Sequence, residues 1–369
     1  MRIAVIGTKG VPARFGGIER HCDELYPRLA DRGHDVTIFV RGWYSPVRGP
    51  YLGLNLRAAP TINAKGMDAF IHTGAASLAA LGGGFDIIHY HGIGPSLFSF
   101  LPRLSRARIV ATVHALDWQR DKWGSGARSI LKAGERASAV FPHRTIVVSR
   151  ELKRYFRERY GRDTVYIPNG VDFVSRPRAS RLVRDLGLEP GGYILYLGRL
   201  VPEKGCHDLI EAYQSSGLDA PLVVAGGSSH SDDYVDMLHS MAAGNQRIIF
   251  TGNVEGELLS QLSAHAGLFV LPSYLEGLPI VVLEMLWYKV PVLASDIGPA
   301  REALREGEFG RLYSTGDVAD LAEKLAGAYG EREAMRRQAE AGHEHVKVEN
   351  DWDRIAEQTE EVYRDITGP

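Results

Sequence analysis

Two habits of hydrophobic spacing alternate along this chain. Short apolar runs at residues 2–7, 35–40, 85–89, 109–113 and 144–148 are each followed by a longer stretch in which apolar positions recur every three or four residues. The short runs predict strands buried on both faces, and the longer stretches predict helices. Between the first two runs, residues 17–32 put Cys22, Leu25 and Leu29 on one helical stripe, and Gly33 stops it. Repetition of strand, helix, strand predicts a parallel sheet covered by helices.

A second series begins after a loop rich in Pro, Gly and Arg near residues 168–192, with strands expected at 193–197, 222–225, 248–250, 268–271 and 290–294. The boundary is placed near residue 175. A first domain then spans 1–175 and a second 176–351. The terminal helix, 352–369, keeps Trp352, Ile355, Val362 and Tyr363 apolar and is expected to pack back on the first domain. The expected fold class is α/β, with two Rossmann-like doubly wound domains facing across a cleft. In such sheets ligands bind outside the carboxyl ends of the strands.

The length of 369 residues agrees with two domains at about 150 residues each. The chain is 44% hydrophobic and 24% charged, which excludes disordered and fibrous classes. Two cysteines, Cys22 and Cys206, exclude a disulfide scaffold and a Cys-rich metal centre, and fit a reducing, cytoplasmic setting. The first residues lack the apolar core of a secretory signal, and no apolar stretch approaches 18 residues.

The net charge of −2 hides a split. Residues 1–180 carry 27 Lys and Arg against 14 Asp and Glu, a net of +13, and the remainder carries −15. The acidic half is no general binder of nucleic acid or membrane. The basic half suits an anionic membrane surface, an anionic acceptor or nucleic acid. Within it, residues 150–160 interleave cations with aromatics, and Arg103, Arg106, Arg108, Arg120, Lys122, Arg128 and Lys132 add to the charge.

Three places in the first half offer chemistry. The loop from Gly7 to Gly17 ends in Gly16-Gly17 directly before a helix, where backbone N–H groups approach an anion closely. Lys9 and Arg14 share that loop, and Glu19 and Arg20 follow in the first helical turn. The glycine spacing matches neither a dinucleotide fingerprint nor a P-loop. His89 and His91 share a strand face, but a third metal ligand is missing at convincing spacing, so no metal is expected and the pair reads as polar residues satisfied at a sheet edge. His114 ends an apolar strand, where an imidazole meets substrate, and Asp117 lies three residues on.

The densest constellation lies in the second half. Gly198-Arg199-Leu200-Val201-Pro202-Glu203-Lys204-Gly205 follows a buried strand and sets two cations five residues apart, a pair suited to a diphosphate. Next, Ser273-Tyr274-Leu275-Glu276-Gly277-Leu278-Pro279 opens a helix with Pro279 expected in its first turn, so the N–H groups of Gly277 and Leu278 are free for phosphate oxygens. Glu284 falls in the otherwise apolar run 280–286 and needs a partner there. Eight residues separate Glu276 from Glu284, about 12 Å if fully helical. That exceeds the roughly 5–9.5 Å of a glycosidase carboxylate pair.

Together these motifs resemble glycosyltransferase family 4, retaining enzymes of the two-domain GT-B fold. The supporting segments Ile167-Pro168-Asn169-Gly170-Val171-Asp172, Val223-Val224-Ala225-Gly226-Gly227 and Phe250-Thr251-Gly252-Asn253-Val254 fall in the family's order. The N-terminal Gly-Thr-Lys-Gly-Val-Pro-Ala-Arg-Phe-Gly-Gly-Ile-Glu is similar to bacterial polysaccharide-assembly members. The resemblance implies that Arg199 and Lys204 bind the donor diphosphate, and that Glu284 holds the ribose. It places Glu276 on the transferred sugar, while Gly277, Leu278 and Pro279 line the phosphate loop. Asn253 and Val254 would meet the base, Gly16 and Gly17 would close over the phosphates, and His114 would be the active-site histidine. Glu276, Arg199, Lys204 and His114 are thus the expected catalytic group. The donor would be a nucleotide-diphosphate sugar, with no metal or other cofactor.

The acceptor would be a glycan or lipid-linked glycan, with Lys9, Arg14, Glu19, His91 and Asp117 as its candidate contacts. The expected setting is cytoplasmic, peripheral on an anionic membrane, with no nucleic-acid partner. Two alternatives stay open on the residues alone: another nucleotide-sugar enzyme of this fold, such as an epimerase or phosphorylase, and a non-catalytic nucleotide-sugar-binding subunit.

Overall fold

The computed structural model describes residues 1–13, 16–45, 49–62, 67–120, 123–178, 181–228 and 232–368. The elements run β1 (Arg2–Ile6), α1 (Gly17–Asp31), β2 (Asp35–Arg41), β3 (Gly49–Tyr51), β4 (Leu54–Ala59), α2 (Met67–Leu81), β5 (Ile87–His91), α3 (Ile93–Ser96), β6 (Arg108–Val113), α4 (Ser125–Val140), β7 (Arg144–Val147), α5 (Arg150–Tyr160) and β8 (Val165–Tyr166). They continue with α6 (Arg181–Asp185), β9 (Ile194–Leu197), α7 (Cys206–Ser215), β10 (Leu222–Ala225), α8 (Asp232–Met241), β11 (Ile248–Gly252), α9 (Gly256–Ala264), β12 (Leu268–Leu271) and α10 (Ile280–Trp287). The last are β13 (Val292–Ser295), α11 (Gly298–Ala303), β14 (Arg311–Tyr313), α12 (Val318–Gly330), α13 (Arg332–Glu349) and α14 (Trp352–Thr367).

The chain divides into one unit of residues 1–170 with 352–369 and another of residues 171–351. The division falls five residues before the expected boundary at 175, for a packing reason. Ile167 is buried in the first unit's core, Asn169 is bonded to His21, and a Cβ on Gly170 would lie 2.5 Å from the Trp352 ring. Val171 belongs to the other unit, where its N–H donates to the Asn350 carbonyl at 2.8 Å.

In the first unit the strand order is β3-β4-β2-β1-β5-β6-β7-β8, parallel except for the β3–β4 pair. The hydrophobic stripe of α1 packs on this sheet with α14: Cys22, Leu25, Tyr26 and Leu29 share a core with Trp352, Ile355, Ala356 and Tyr363. The β3–β4 pair lacks a strong apolar run, and the spacing argument did not find it. β5 lies between β1 and β6, so His89 and His91 stand in the middle of the sheet and not at its edge.

The second unit orders its strands β11-β10-β9-β12-β13-β14, and every pairing is parallel. The chain leaves β9 towards β10 on one side and returns to β12 on the other, so a switch point lies between β9 and β12, where a crevice opens at the carboxyl ends. Ile194, Tyr196, Val224, Val270 and Leu293 form the core with α7 and α12.

Candidate functional site

The loops leaving β9 and β12 are tied together at that switch point. After β9 the chain makes a short 3-10 turn, Pro202–Lys204, and Gly205 follows with φ +64°. A Cβ there would lie 2.0 Å from the Pro272 carbonyl oxygen, so only glycine lets the two loops approach this closely. The Tyr274 N–H donates to the Glu203 carbonyl at 3.0 Å, and the Tyr274 hydroxyl donates to Asp208 in the first turn of α7. Lys204 is thereby held against Glu276, with which it forms an ion pair through Oε1. The Ser273 hydroxyl donates to the same oxygen at 2.7 Å, and the Ser295 hydroxyl fixes the Ser273 carbonyl in turn. Among the described residues no protein group bonds Oε2 of Glu276. The carboxylate is oriented through one oxygen.

Residues 276–279 are a loop, and Pro279 caps α10 from outside the helix with ψ 98°. Its place in the first helical turn is corrected by one residue, and the 12 Å helical spacing between the two glutamates does not apply. Gly277 and Leu278 precede the cap, and Glu284 lies half-buried on α10 among buried Val282, Leu283, Met285 and Leu286. Arg199 is half-buried in the loop after β9, where its carbonyl accepts from the Tyr196 hydroxyl at 2.9 Å. The loops after β9, β10 and β11 are stacked by main-chain bonds: Gly198 N–H to Ala225 O at 3.0 Å, Leu200 N–H to Gly227 O at 3.0 Å, and Gly226 N–H to Gly252 O at 2.9 Å. Asn253 sits exposed beside Gly227, and Val254 follows it.

The carboxyl edge of the first unit holds a chain of buried rings. His91 ends β5, His114 follows β6, and His21 reaches them from α1. His91 Nδ1 is 3.0 Å from His114 Nε2, while its Nε2 meets the Tyr26 hydroxyl. His89 Nε2 meets the Thr112 hydroxyl at 2.7 Å, and its Nδ1 meets the Tyr363 hydroxyl at 2.6 Å. His21 Nδ1 is 3.1 Å from the Asn169 side-chain oxygen. Burial pushes His21 down to about 4 and His89 to about 3, and it holds His91 and His114 well below the usual histidine range. All four rings are therefore neutral at pH 7, His114 included.

His21 is the third nitrogen that spacing along the strands did not supply. One nitrogen each from His21, His91 and His114 lies within 4.8 Å of the others. Two nitrogens bound to one zinc at about 2.0–2.1 Å in tetrahedral geometry stand roughly 3.3 Å apart. The 3.0 Å between His91 and His114 is a hydrogen-bond distance.

Other candidates of the first unit are engaged locally. Gly16 is the N-cap of α1, and Glu19, 6% exposed, turns back over it to accept the Lys9 N–H at 3.0 Å. Glu19 is thereby tied to the backbone of its own loop through the Lys9 N–H. Gly17 opens α1. Lys9 lies over the Tyr44 ring at 6.0 Å. Asp117 pairs with Arg120 at 3.2 Å in a short 3-10 turn. Arg14 lies outside the described residues, as does Lys122. The aromatics of residues 150–160 turn inward: the Tyr155 and Tyr160 hydroxyls and the Trp118 indole all donate to buried Glu135, on the floor of a groove of about 1000 Å³ between α4 and α5.

Comparison with known proteins decides the family. Residues 15–174 match the family model described as Glycosyltransferase Family 4, and residues 183–345 match that described as Glycosyl transferases group 1. The glycogen synthase of Mycobacterium tuberculosis is 28% identical over 401 residues, spanning 98% of this chain and 94% of its own. The phosphatidyl-myo-inositol mannosyltransferase of Mycobacterium leprae is 29% identical over 363 residues, spanning 95% and 93%. The chain is a family 4-type glycosyltransferase. Its fold is shared with Anabaena HepE, whose structure in complex with UDP-glucose superposes with a TM-score of 0.83 at 21% identity, covering 99% of this chain and 100% of that one.

Within this glycosyltransferase, the residues that sequence reasoning passed over are those brought in by a different element. His21 and Tyr26 widen the buried face of α1 beyond the Cys22–Leu25–Leu29 stripe, one residue to either side of it. Such widening by two polar rings is a readable signal of a buried polar network. Ser273 was visible only as part of a motif, yet it anchors Glu276.

Proposed function

We propose that this glycosyltransferase moves a sugar from a nucleoside-diphosphate sugar to a glycan or lipid-linked glycan acceptor during cell-surface polysaccharide synthesis, with retention at the anomeric carbon. The observation that supports this most is Glu276, held through Oε1 by Lys204 and Ser273 with Oε2 open, at the switch point of an all-parallel sheet. In this reading Lys204 and Arg199 take the diphosphate oxygens, Glu276 accepts from a hydroxyl of the transferred sugar, Glu284 holds the ribose, and Asn253 and Val254 border the base. The bond from the anomeric carbon to the diphosphate breaks with its electron pair passing to the diphosphate. The acceptor oxygen bonds to that carbon on the same face and gives its proton to the departing phosphate oxygen. The two cations supply the charge stabilisation that a divalent ion supplies elsewhere.

The likeness to Anabaena HepE, whose structure holds UDP-glucose, favours a donor of that class, and the likeness to the mycobacterial phosphatidyl-myo-inositol mannosyltransferase favours a lipid-linked acceptor. The excess of cations in the first half favours an anionic membrane surface beside that acceptor. A thermal-shift panel of nucleotide sugars, followed by product analysis with candidate acceptors, tests the proposal. One donor should raise Tm, and nucleoside diphosphate should appear in step with a new α- or β-linkage of the donor's own configuration. Sugar release by inorganic phosphate, or epimerised donor with no transfer, would move the chain to the alternative chemistry.

A further inference from the structure

The amino edge of the first unit's sheet, opposite the edge that carries His91 and His114, holds a second concentration of chemistry. His143 lies between α4 and β7, and its ring is fixed by the neighbouring strand: the Ile109 N–H donates to His143 Nδ1 at 2.9 Å. A ring nitrogen that accepts from a backbone N–H carries no proton, so in the neutral ring the proton sits on Nε2. Facing that Nε2 at 3.4 Å each are Nη1 of Arg103 and Nη1 of Arg108. Guanidinium nitrogens only donate. Three donors are therefore crowded together with no acceptor among them.

The surroundings sharpen the imbalance. Arg144 and Arg162 crowd the same segment, donating to the His143 carbonyl at 3.2 Å each, and Arg162 also donates to the Pro142 carbonyl at 2.7 Å. Among the described residues no carboxylate forms an ion pair with Arg103, Arg108, Arg144 or Arg162, although the charge of Asp163 reaches Arg162. Burial and the flanking Arg103, Arg108 and Arg144 push His143 down to about 4, so its ring stays neutral and the tautomer argument holds at physiological pH. Donors arranged in this way match the oxygens of a phosphate group.

Apolar side chains stand exposed beside the cluster. Leu104, next in sequence to Arg103, is 84% exposed, Val140 is 55% exposed and Phe100 45%. Phe100 packs on Phe141 with ring centroids 6.0 Å apart, and the Phe141 carbonyl accepts from Arg103 Nε at 2.6 Å. A free phosphate ion would have no use for that rim, whereas a phospholipid presents its phosphate directly above acyl chains.

We propose that Arg103, Arg108 and the His143 Nε2–H form a phosphate-binding site for an anionic phospholipid head group, with Leu104, Phe100 and Val140 entering the interface beside it. The occupant rests on the anionic-surface reading given above, but the donor cluster does not depend on the transfer reaction.

The test uses the full chain and vesicles of phosphatidylcholine with or without 30% phosphatidylglycerol, in co-sedimentation at several salt concentrations. Wild type should bind the anionic vesicles and leave the neutral ones. Arg103→Ala/Arg108→Ala should weaken binding at least tenfold, and Leu104→Ser severalfold. The decisive variant is His143→Asn. Its Oδ1 can still accept the Ile109 N–H, the net charge at pH 7 is unchanged, and its amide nitrogen ends one bond short of the Nε2 position, so the donor at that point is lost. It should weaken binding at least threefold, with a Tm close to wild type. Arg106→Ala removes one charge from the same surface and should do no more than His143→Asn. Wild-type binding by His143→Asn overturns the site, because diffuse charge alone would then account for the interaction. Inorganic phosphate shifting the His143 ring signals in a chain that ignores anionic vesicles overturns the lipid occupant. Loss of vesicle binding with donor transfer to a soluble acceptor intact would leave the function proposed above untouched.

Discussion

Lys204→Met separates the two roles the structure gives this lysine. In the protein alone it is the ion-pair partner of Glu276, and with donor bound it is proposed to grip the diphosphate. The stability effect follows from exposure: the two side chains keep 19% and 11% of theirs. Breaking a fully buried pair costs about 3–5 kcal/mol, and an exposed pair about 0–1 kcal/mol. This intermediate pair should cost about 1–2 kcal/mol, which lowers Tm by about 3–6 °C in a domain of this size. A protein with an ordinary stability of roughly 5–15 kcal/mol stays folded after that loss. Removing one preorganised charge from the departing diphosphate costs far more, about 10²–10³ in kcat. The assay is kcat at saturating donor for wild type, Lys204→Met, Glu276→Gln and the double variant, each with its Tm. If Lys204 only holds Glu276 in place, the lysine substitution adds nothing once Glu276 is changed. If it acts on the diphosphate, the double variant loses at least a further tenfold beyond Glu276→Gln. Equal kcat within threefold for Glu276→Gln and the double variant would refute the diphosphate role, as would a Lys204→Met enzyme within threefold of wild type.

Two other consequences are open to measurement. His21 and His89 are held near 4 and 3 when folded, below their unfolded value of 6.5, so the unfolded chain takes up protons first on acidification. Their stability contribution is complete above pH 6.5 and falls as pH drops towards 4, by about 2 kcal/mol per ring at pH 5; urea midpoints for the first unit that agree at pH 7 and pH 5 would contradict the neutral-ring network. The hydrogen-bonded reading of His21, His91 and His114 also predicts that dialysis against EDTA leaves transfer within twofold and that metal analysis finds less than 0.1 equivalent of zinc. A tenfold loss restored by zinc would place a metal on those three nitrogens.

How far the sequence carried depends on whether a signal is local. The strands that hold the sites are continuous apolar runs, and each candidate loop follows one directly, so Arg199, Lys204 and Glu276 could be assigned to carboxyl ends before any coordinates. The pairing of Lys204 with Glu276 was not legible, because 72 residues separate them and only the β9–β12 adjacency brings them together. The His cluster shows the same limit: His89, His91 and His114 were visible as strand-end residues, but His21 comes from a helix and Tyr363 from α14, at the far end of the chain. Glu19 was named as a candidate acceptor contact from its place in the first helical turn; its bond to the Lys9 N–H was not legible, because it depends on the glycine at position 16 leaving room for the carboxylate to fold over the cap.

The distribution of charge now carries a sharper meaning than the split between halves. At the first unit's carboxyl edge four neutral histidines and an inward-turned Glu19 stand beside Lys9 and Arg120. A further group of cations lies at the opposite edge, where Arg108 and Arg144 are the first residues of β6 and β7. The proposed diphosphate site lies in the acidic unit, where Arg199 and Lys204 would attract any passing anion. Pairing Lys204 with Glu276 offsets one of those charges. On the proposed reading an inorganic anion meets only the lysine, whereas a sugar nucleotide presents a diphosphate to Lys204 and a hydroxyl to Oε2 of Glu276 while Oε1 keeps its partners. Discrimination of an intact donor from free phosphate would then rest on both contacts being made together.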